Sequence, residues 1–487
     1  MLDTLCEYDL GECYYIKLND LLTMTQSTAQ KIFQYTRLRS ADATRLVRIL
    51  PGRGTSSIEC QICDIDLNDA PCYSALSYVW GSPIKHHLIT MNGTDLMVTR
   101  NLHTALQHLR QKDENRLFWV DAICINQTDL EERSAQVLKM KDIYEKASEV
   151  VIWLGAGSDE TMLAMSFIRK IWHFWVHSVE VLGKTESTVL DTCQSDLAAL
   201  FDEYHGAVDF RPLDSFRQLL LRKWFERVWV IQEATTPLNI KILQCGDVTL
   251  SWDALIITAK FISYLMVRPD LRAYFAAVRP LDNQGLRRLF NMEKQRQSPQ
   301  IFANLLETLA NYRYFHATDP RDKIYALQGL ATGLAVDELL PDYSLDFQDV
   351  YVQAAKYFIL KQASFDCLGF CKFSLRDTNL PSWVPDWSNP GISHPLAKYE
   401  TKKTHDSEPR HIYHITAVPT ALFADQSRTP NILNDRILVV SGFCVDVIHE
   451  VKQCNILEPS DTRADSIMGW VLDREADIYK LTEETIG

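Results

Sequence analysis

Between Tyr73 and Gly155 apolar runs and amphipathic stretches take turns along the chain. Ala75 to Trp80 is a short apolar and aromatic run closed by Gly81 and Ser82-Pro83, which predicts a buried strand ending in a turn. Leu102, Ala105, Leu106 and Leu109 then recur at helical spacing behind the capping candidates Thr99 and Asn101. Leu117 to Ala122 reads as a second buried strand. The polar loop Asn126-Gln127-Thr128-Asp129 opens a helix in which Val137, Met140, Ile143, Tyr144 and Ala147 share one face. Val150 to Leu154 is a third strand, ended by Gly155 and Gly157. Strands alternating with helices predict an α/β fold, a parallel sheet flanked by helices.

The flanks extend this core. Leu46 to Leu50 and Ser57 to Leu67 alternate as two strands joined through Pro51-Gly52-Arg53-Gly54, an N-terminal β-hairpin laid beside the sheet. Met162 to Val176 is an aromatic-rich helix, and Glu180 to Asp209 a polar insertion without clear period. Phe216 to Ala234 reads as one helix or two in tandem, and Asn239 to Gln244 as a further strand of the sheet. From Trp252 to Gly329 the pattern is mainly helical. There Asp319 is expected as an N-cap, Pro320 at the first helical position and Asp322 in the first turn. Short strands at Ile412 to Ala417 and Arg436 to Ile448 mark a small β-containing tail. The chain thus divides into a partly helical extension (1–43), an α/β domain (44–252, insertion about 158–213), a mainly helical region (253–375) and a mixed α/β tail (376–487).

Charge and composition narrow the partners. Of 487 residues, 63 are acidic and 50 basic, a net −13 that argues against nonspecific binding of nucleic acid or of an anionic membrane. No apolar run has the length of a membrane span; Ala254 to Val267 is short and interrupted by Lys260, so a buried helix is expected there. Twelve scattered cysteines, and no basic start followed by an apolar stretch, point to free thiols in a reducing, cytoplasmic setting. Cys60-x-x-Cys63 lacks a second pair, and its cysteines read as strand positions rather than metal ligands.

Several chemistries lose support because their motifs are missing. There is no GxxxxGK[ST], HExxH or GxSxG, and Gly155-Ala156-Gly157 lacks the third glycine of a dinucleotide fingerprint. What stands out is a carboxylate on an aromatic helix, Trp229-Val230-Ile231-Gln232-Glu233. Residues four apart share a helix face, so an indole beside a carboxyl would desolvate it, raise its pKa and offer a stacking surface. That pairing suits cleavage of a glycosidic bond, whose oxocarbenium-like transition state a carboxylate stabilises. The competing reading makes Glu233 the partner of Arg222 or Arg227 in a structural ion pair.

The segments LSYVWG, RNLHTALQHLR and WVDAICINQTDLEERSAQVLKMKDIYEKASEVVIWLG resemble the heterokaryon incompatibility (HET) domain of filamentous fungi. TRLVRILPG before them and RKWFERVWVIQEA after them are similar to the family's flanking blocks, and TDPRDKIYALQGL, PDYS and LPSWVPDW resemble segments that often follow that domain. The HET domain is in turn similar in element order to Toll/interleukin-receptor (TIR) domains, some of which cleave NAD at the nicotinamide–ribose bond. In those enzymes a W-x-x-x-E pattern supplies the essential glutamate, which Trp229 and Glu233 match. The resemblance therefore implies a TIR-like sheet with Glu233 as catalytic residue. Ser77, Tyr78, Trp80, Asp121, Asn126 and Trp229 are the expected dinucleotide contacts, at the carboxyl edge of the sheet. Alternatives compete: Trp80 as core or lid, Asn126 and Gln127 as binders of their own loop, Glu132 as a capping partner, and Arg133 and Arg227, which could bind pyrophosphate, in surface salt bridges instead.

The implied function is that of a cytoplasmic effector of fungal nonself recognition that triggers programmed cell death, with NAD as candidate substrate rather than cofactor. Assembly into a homo-oligomer and an incompatibility partner protein of unknown identity are implied with it. The alternative is a noncatalytic adaptor whose α/β surface recruits partners.

Overall fold

A continuous apolar run buried on both faces belongs at the centre of a parallel sheet, and Ser74–Tyr78 (SALSY), every residue of it buried, occupies that place. The computed structural model describes residues 31–185, 189, 203–204, 207–208, 211–235, 239–267, 283–299, 304–331, 339–362, 364–371, 379–389 and 431–439. All of them lie in one compact unit, Met1–Val439.

In chain order the strands are β1 (Ala43–Ile49), β2 (Glu59–Asp66), β3 (Ser74–Tyr78), β4 (Lys85–Met91), β5 (Thr94–Thr99), β6 (Arg116–Trp119), β7 (Glu149–Trp153), β8 (Glu203–Tyr204), β9 (Ala207–Val208), β10 (Ile240–Cys245), β11 (Val248–Ser251), β12 (Asn431–Leu433) and β13 (Ile437–Val439). Among the described residues nine of them form one sheet in the order β11-β10-β7-β3-β6-β1-β2-β4-β5. Its middle is parallel: β10 pairs with β7, β7 with β3 and β3 with β6. The β1–β2 hairpin lies antiparallel against β6, as expected from the alternation.

Helix α1 (Arg100–Leu109) follows β5, whereas α2 (Asp121–Cys124), α3 (Leu130–Lys146) and α4 (Asp159–Val176) follow the parallel strands β6 and β7. Their starts are set by side chains: Thr99, Asp129 and Ser158 accept the backbone N–H groups of Leu102, Glu132 and Thr161. Gly155 closes β7 at φ +108°, a conformation that L side chains rarely adopt. Beyond lie α5 (Arg211–Leu220), α6 (Trp229–Thr235), α7 (Trp252–Val267), α8 (Asn283–Gln297), α9 (Leu305–Tyr312), α10 (Asp322–Gln328) and α11 (Phe347–Lys356), so the region after Trp252 is mainly helical.

Several expectations need correction. The β4–β5 hairpin was not foreseen, although Asn92-Gly93, at φ 51° and 73°, is the dipeptide that a two-residue hairpin turn requires. The second strand stops at Trp119, because Asp121 to Cys124 coil into α2. The Phe216 to Ala234 stretch divides into α5, a 3₁₀ turn (Lys223–Glu226) and α6. Asp319 caps a turn rather than a helix: it accepts the N–H of Arg321 at 3.1 Å, and α10 begins only at Asp322. Cys60 and Cys63 both lie in β2, three residues apart and hence on opposite faces. Most of the N-terminal extension, the middle of the insertion and the tail segments at 412–417 and 440–448 lie outside the described residues.

Candidate functional site

At the carboxyl ends of β3 and β6, where ligand sites of parallel sheets form, a polar cluster interrupts the core. Alternation along β3 brings Ser77 to the side on which α6 packs, and the two residues after it lead into Trp80 and Gly81. The Ser77 hydroxyl donates to Glu233 Oε2 and accepts the indole N–H of Trp224 at 2.8 Å. Ser77 is 0% exposed and Glu233 1%, so this hydrogen-bonded chain is shut off from solvent.

Burial sets the protonation of Glu233. Desolvation pushes its pKa up to about 7, opposed by the field of Arg227 and by the Ser77 hydrogen bond, with the Asp121 carboxyl adding to the rise. Asp121 is itself raised, chiefly by burial, with Arg227 again opposing. Arg227 therefore sits within the field of two buried acids, and its guanidinium donates to the Tyr78 carbonyl. The Tyr78 hydroxyl, wholly buried, lies beside the Asp121 carboxyl without a regular hydrogen bond.

The rim is formed by Trp80, 38% exposed, whose indole N–H donates to Asp121 Oδ2 at 2.7 Å. Asn101, at the start of α1, steadies this edge by donating to the Val79 carbonyl at 2.5 Å. Gln127 reaches the Asp121 carbonyl at 2.9 Å. Chemically the cluster offers two carboxyl groups of raised pKa, one guanidinium between their fields and an indole at the edge, a set suited to proton transfer or to stabilising a cation.

Of the residues singled out from sequence, Ser77, Tyr78, Trp80, Asp121 and Glu233 come together here. Asn126 does not join them: its side-chain oxygen accepts the Thr128 N–H and hydroxyl at 3.3 and 2.8 Å, holding its own loop. Trp229 also turns elsewhere. It is half-buried, and its indole interacts with the Asp322 carboxyl. Arg222 donates to the Leu154 carbonyl and Thr161 hydroxyl, tying the ends of β7 and α4 instead of pairing with Glu233. Arg133 lies over the Tyr343 ring at 3.6 Å and against Asp319 at 3.4 Å.

Two residues escaped the sequence reading. Trp224 is 1% exposed, and a buried indole N–H needs an acceptor, which is the one signal that could have drawn attention to it. Arg45, also 1% exposed, donates twice to Glu132, at 2.5 and 3.0 Å. Glu132 thus answers a buried cation and the Asn126 N–H at 2.7 Å, while the helix cap itself is Asp129.

The comparisons with known proteins agree with the blocks quoted above. The family model described as heterokaryon incompatibility protein (HET) matches residues 73–233. The chain is 27% identical over 484 aligned residues to heterokaryon incompatibility protein 6, OR allele, of Neurospora crassa, covering 88% of this chain and 67% of that protein. No solved structure matches the chain. The matched span opens at Tyr73, just before β3, and ends on Glu233. Residues 73–233 of this chain belong to the heterokaryon incompatibility (HET) domain family.

Proposed function

We propose that this chain acts in heterokaryon incompatibility, the process for which its relative is named, as an effector whose lethal step is hydrolysis of NAD at the nicotinamide–ribose bond. The observation that carries the chemical part is Glu233: a carboxyl lifted to about 7, held by Ser77 and placed at the carboxyl edge of the parallel strands. Near neutral pH it is divided between its two forms, and the ionised form is the one that stabilises an oxocarbenium-like ribosyl cation. Trp80 supplies a partly exposed face on which a base can stack.

In the conformation described the centre is closed, so on this reading turnover requires an activating change that opens it. Its test is NAD consumption by purified full-length protein, wild type beside Glu233→Gln, dilute and then crowded to encourage self-association. Release of nicotinamide that depends on Glu233 is the expected result. No turnover from folded, assembled protein would remove the enzymatic step.

The same closure favours a second reading. Glu233 at 1% exposure already serves a structural purpose, joining α6 to β3. A noncatalytic adaptor would keep this cluster as internal scaffolding and signal through its surface. In that case Glu233→Gln would leave toxicity on overexpression intact.

A further inference from the structure

Helix α6 has seven residues, too few to hold its position without neighbours. Six of them are buried, so its position is decided by what packs on it. On one side it meets the sheet through Glu233 and Ser77. On the other it meets the chain beyond Trp252, packing against α8 and, through three specific contacts, against α10 and the segment that leads into it.

Just before α6, the Val228 N–H donates to the His316 carbonyl at 2.9 Å, and the His316 N–H returns to the Glu226 carbonyl at 2.5 Å, a two-residue parallel bridge. At the first turn, the Trp229 indole meets Asp322, whose carboxyl also accepts the Tyr343 hydroxyl at 2.7 Å. One turn on, Gln232 lies where a side chain on Gly329 would be: a Cβ added at Gly329 overlaps Gln232 Nε2. Asp322 and Gly329 stand at the two ends of α10, so this helix grips α6 along its length.

The seat is also incompletely satisfied. Gln232 Oε1 and Thr235 Oγ1, both on α6, are buried without a hydrogen-bond partner among the described residues. Buried polar atoms left unpaired penalise the position that buries them. A helix held from outside in a penalised position is one that shifts when the hold is broken.

We propose that α10, with the segment that leads into it, is an intramolecular clamp that holds α6 against the sheet, so that the region beyond Trp252 controls the closed state of the Glu233 centre. The clamp itself stands on packing; only the activity expected on release rests on the reading of Glu233 as a reactive group.

The test uses the full chain and two variants that loosen the clamp in different ways, Asp322→Ala, which removes the acceptor, and Gly329→Val, which drives a wedge against Gln232. Hydrogen–deuterium exchange is followed in the peptide covering 229–235 and in β3 and β7, with NAD consumption measured on the same samples. Exchange in 229–235 should rise about tenfold in at least one variant while β3 and β7 keep their protection. Unchanged exchange in 229–235 in both folded variants would overturn the clamp. So would loss of protection in α6, β3 and β7 together, which would make α10 a general support. Opening of α6 with NAD loss that Glu233→Gln abolishes in the same background supports clamp and enzyme alike. Opening without NAD loss supports the clamp and removes the NAD reading.

Discussion

Ser77 donates its hydroxyl proton to Glu233 across 156 residues of sequence, joining the end of the central strand to a helix that three long connections separate from it. Because that acceptor is buried, its ionisation is coupled to folding.

Folded Glu233 keeps its proton to about pH 7, whereas the unfolded carboxyl loses it near 4.5. Between those values the folded state binds more protons, so the contribution of this group is fully present below 4.5 and lost as pH rises through 7. The loss is about 3 kcal/mol. Asp121 is shifted in the same direction. Asp319 and Glu293 are held low and act only at more acid pH. Urea unfolding from pH 5 to 7.5 should show stability falling in the wild type and falling less steeply in Glu233→Gln; equal slopes would show that Glu233 ionises freely.

Ser77→Ala removes a hydrogen bond that lowers the Glu233 pKa and strands the Trp224 N–H. The Glu233 titration, followed by carboxyl carbon NMR, should move upward. Stability at pH 5 should drop by about 1–3 kcal/mol.

Glu132→Ala removes the closer carboxylate of the buried Arg45 guanidinium and leaves it only Asp64, at 3.6 Å. A loss of about 3–5 kcal/mol is expected in urea denaturation. If Glu132 were only a capping partner, the loss would be about 0.5–2 kcal/mol.

Gly155→Ala forces a side chain onto a residue at φ +108° and brings its Cβ within 3.1 Å of the Arg222 guanidinium. The variant should lose about 1–3 kcal/mol, read from its urea midpoint. Gly54→Ala, at φ +53° with open space around it, should lose less and serves as the comparison.

How far the molecule was legible in its sequence depended on how local each signal was. β3, β6 and β7 announce themselves as apolar runs because a parallel central strand buries both faces. The Lys85 to Thr99 hairpin carries its signal in one dipeptide, Asn92-Gly93, which is easily passed over between weakly apolar strands. At Trp229 and Glu233 helical spacing foretold neighbours, yet Asp322, far along the chain, takes the indole instead. The environments of Trp224 and Arg45 are likewise made by residues distant in sequence, and no local pattern records them.

The Val228–His316 bridge bears on how the protein is made. A chain growing at roughly 5–20 residues per second takes about 4–18 s to add the roughly ninety residues that separate those two positions. Through that interval a nascent chain holds Glu233 but not the His316 segment and α10 that restrain it. If release arms the molecule, every polypeptide passes through an armed age before it is complete, and a ribosome stalled between the two positions would leave α6 without its clamp.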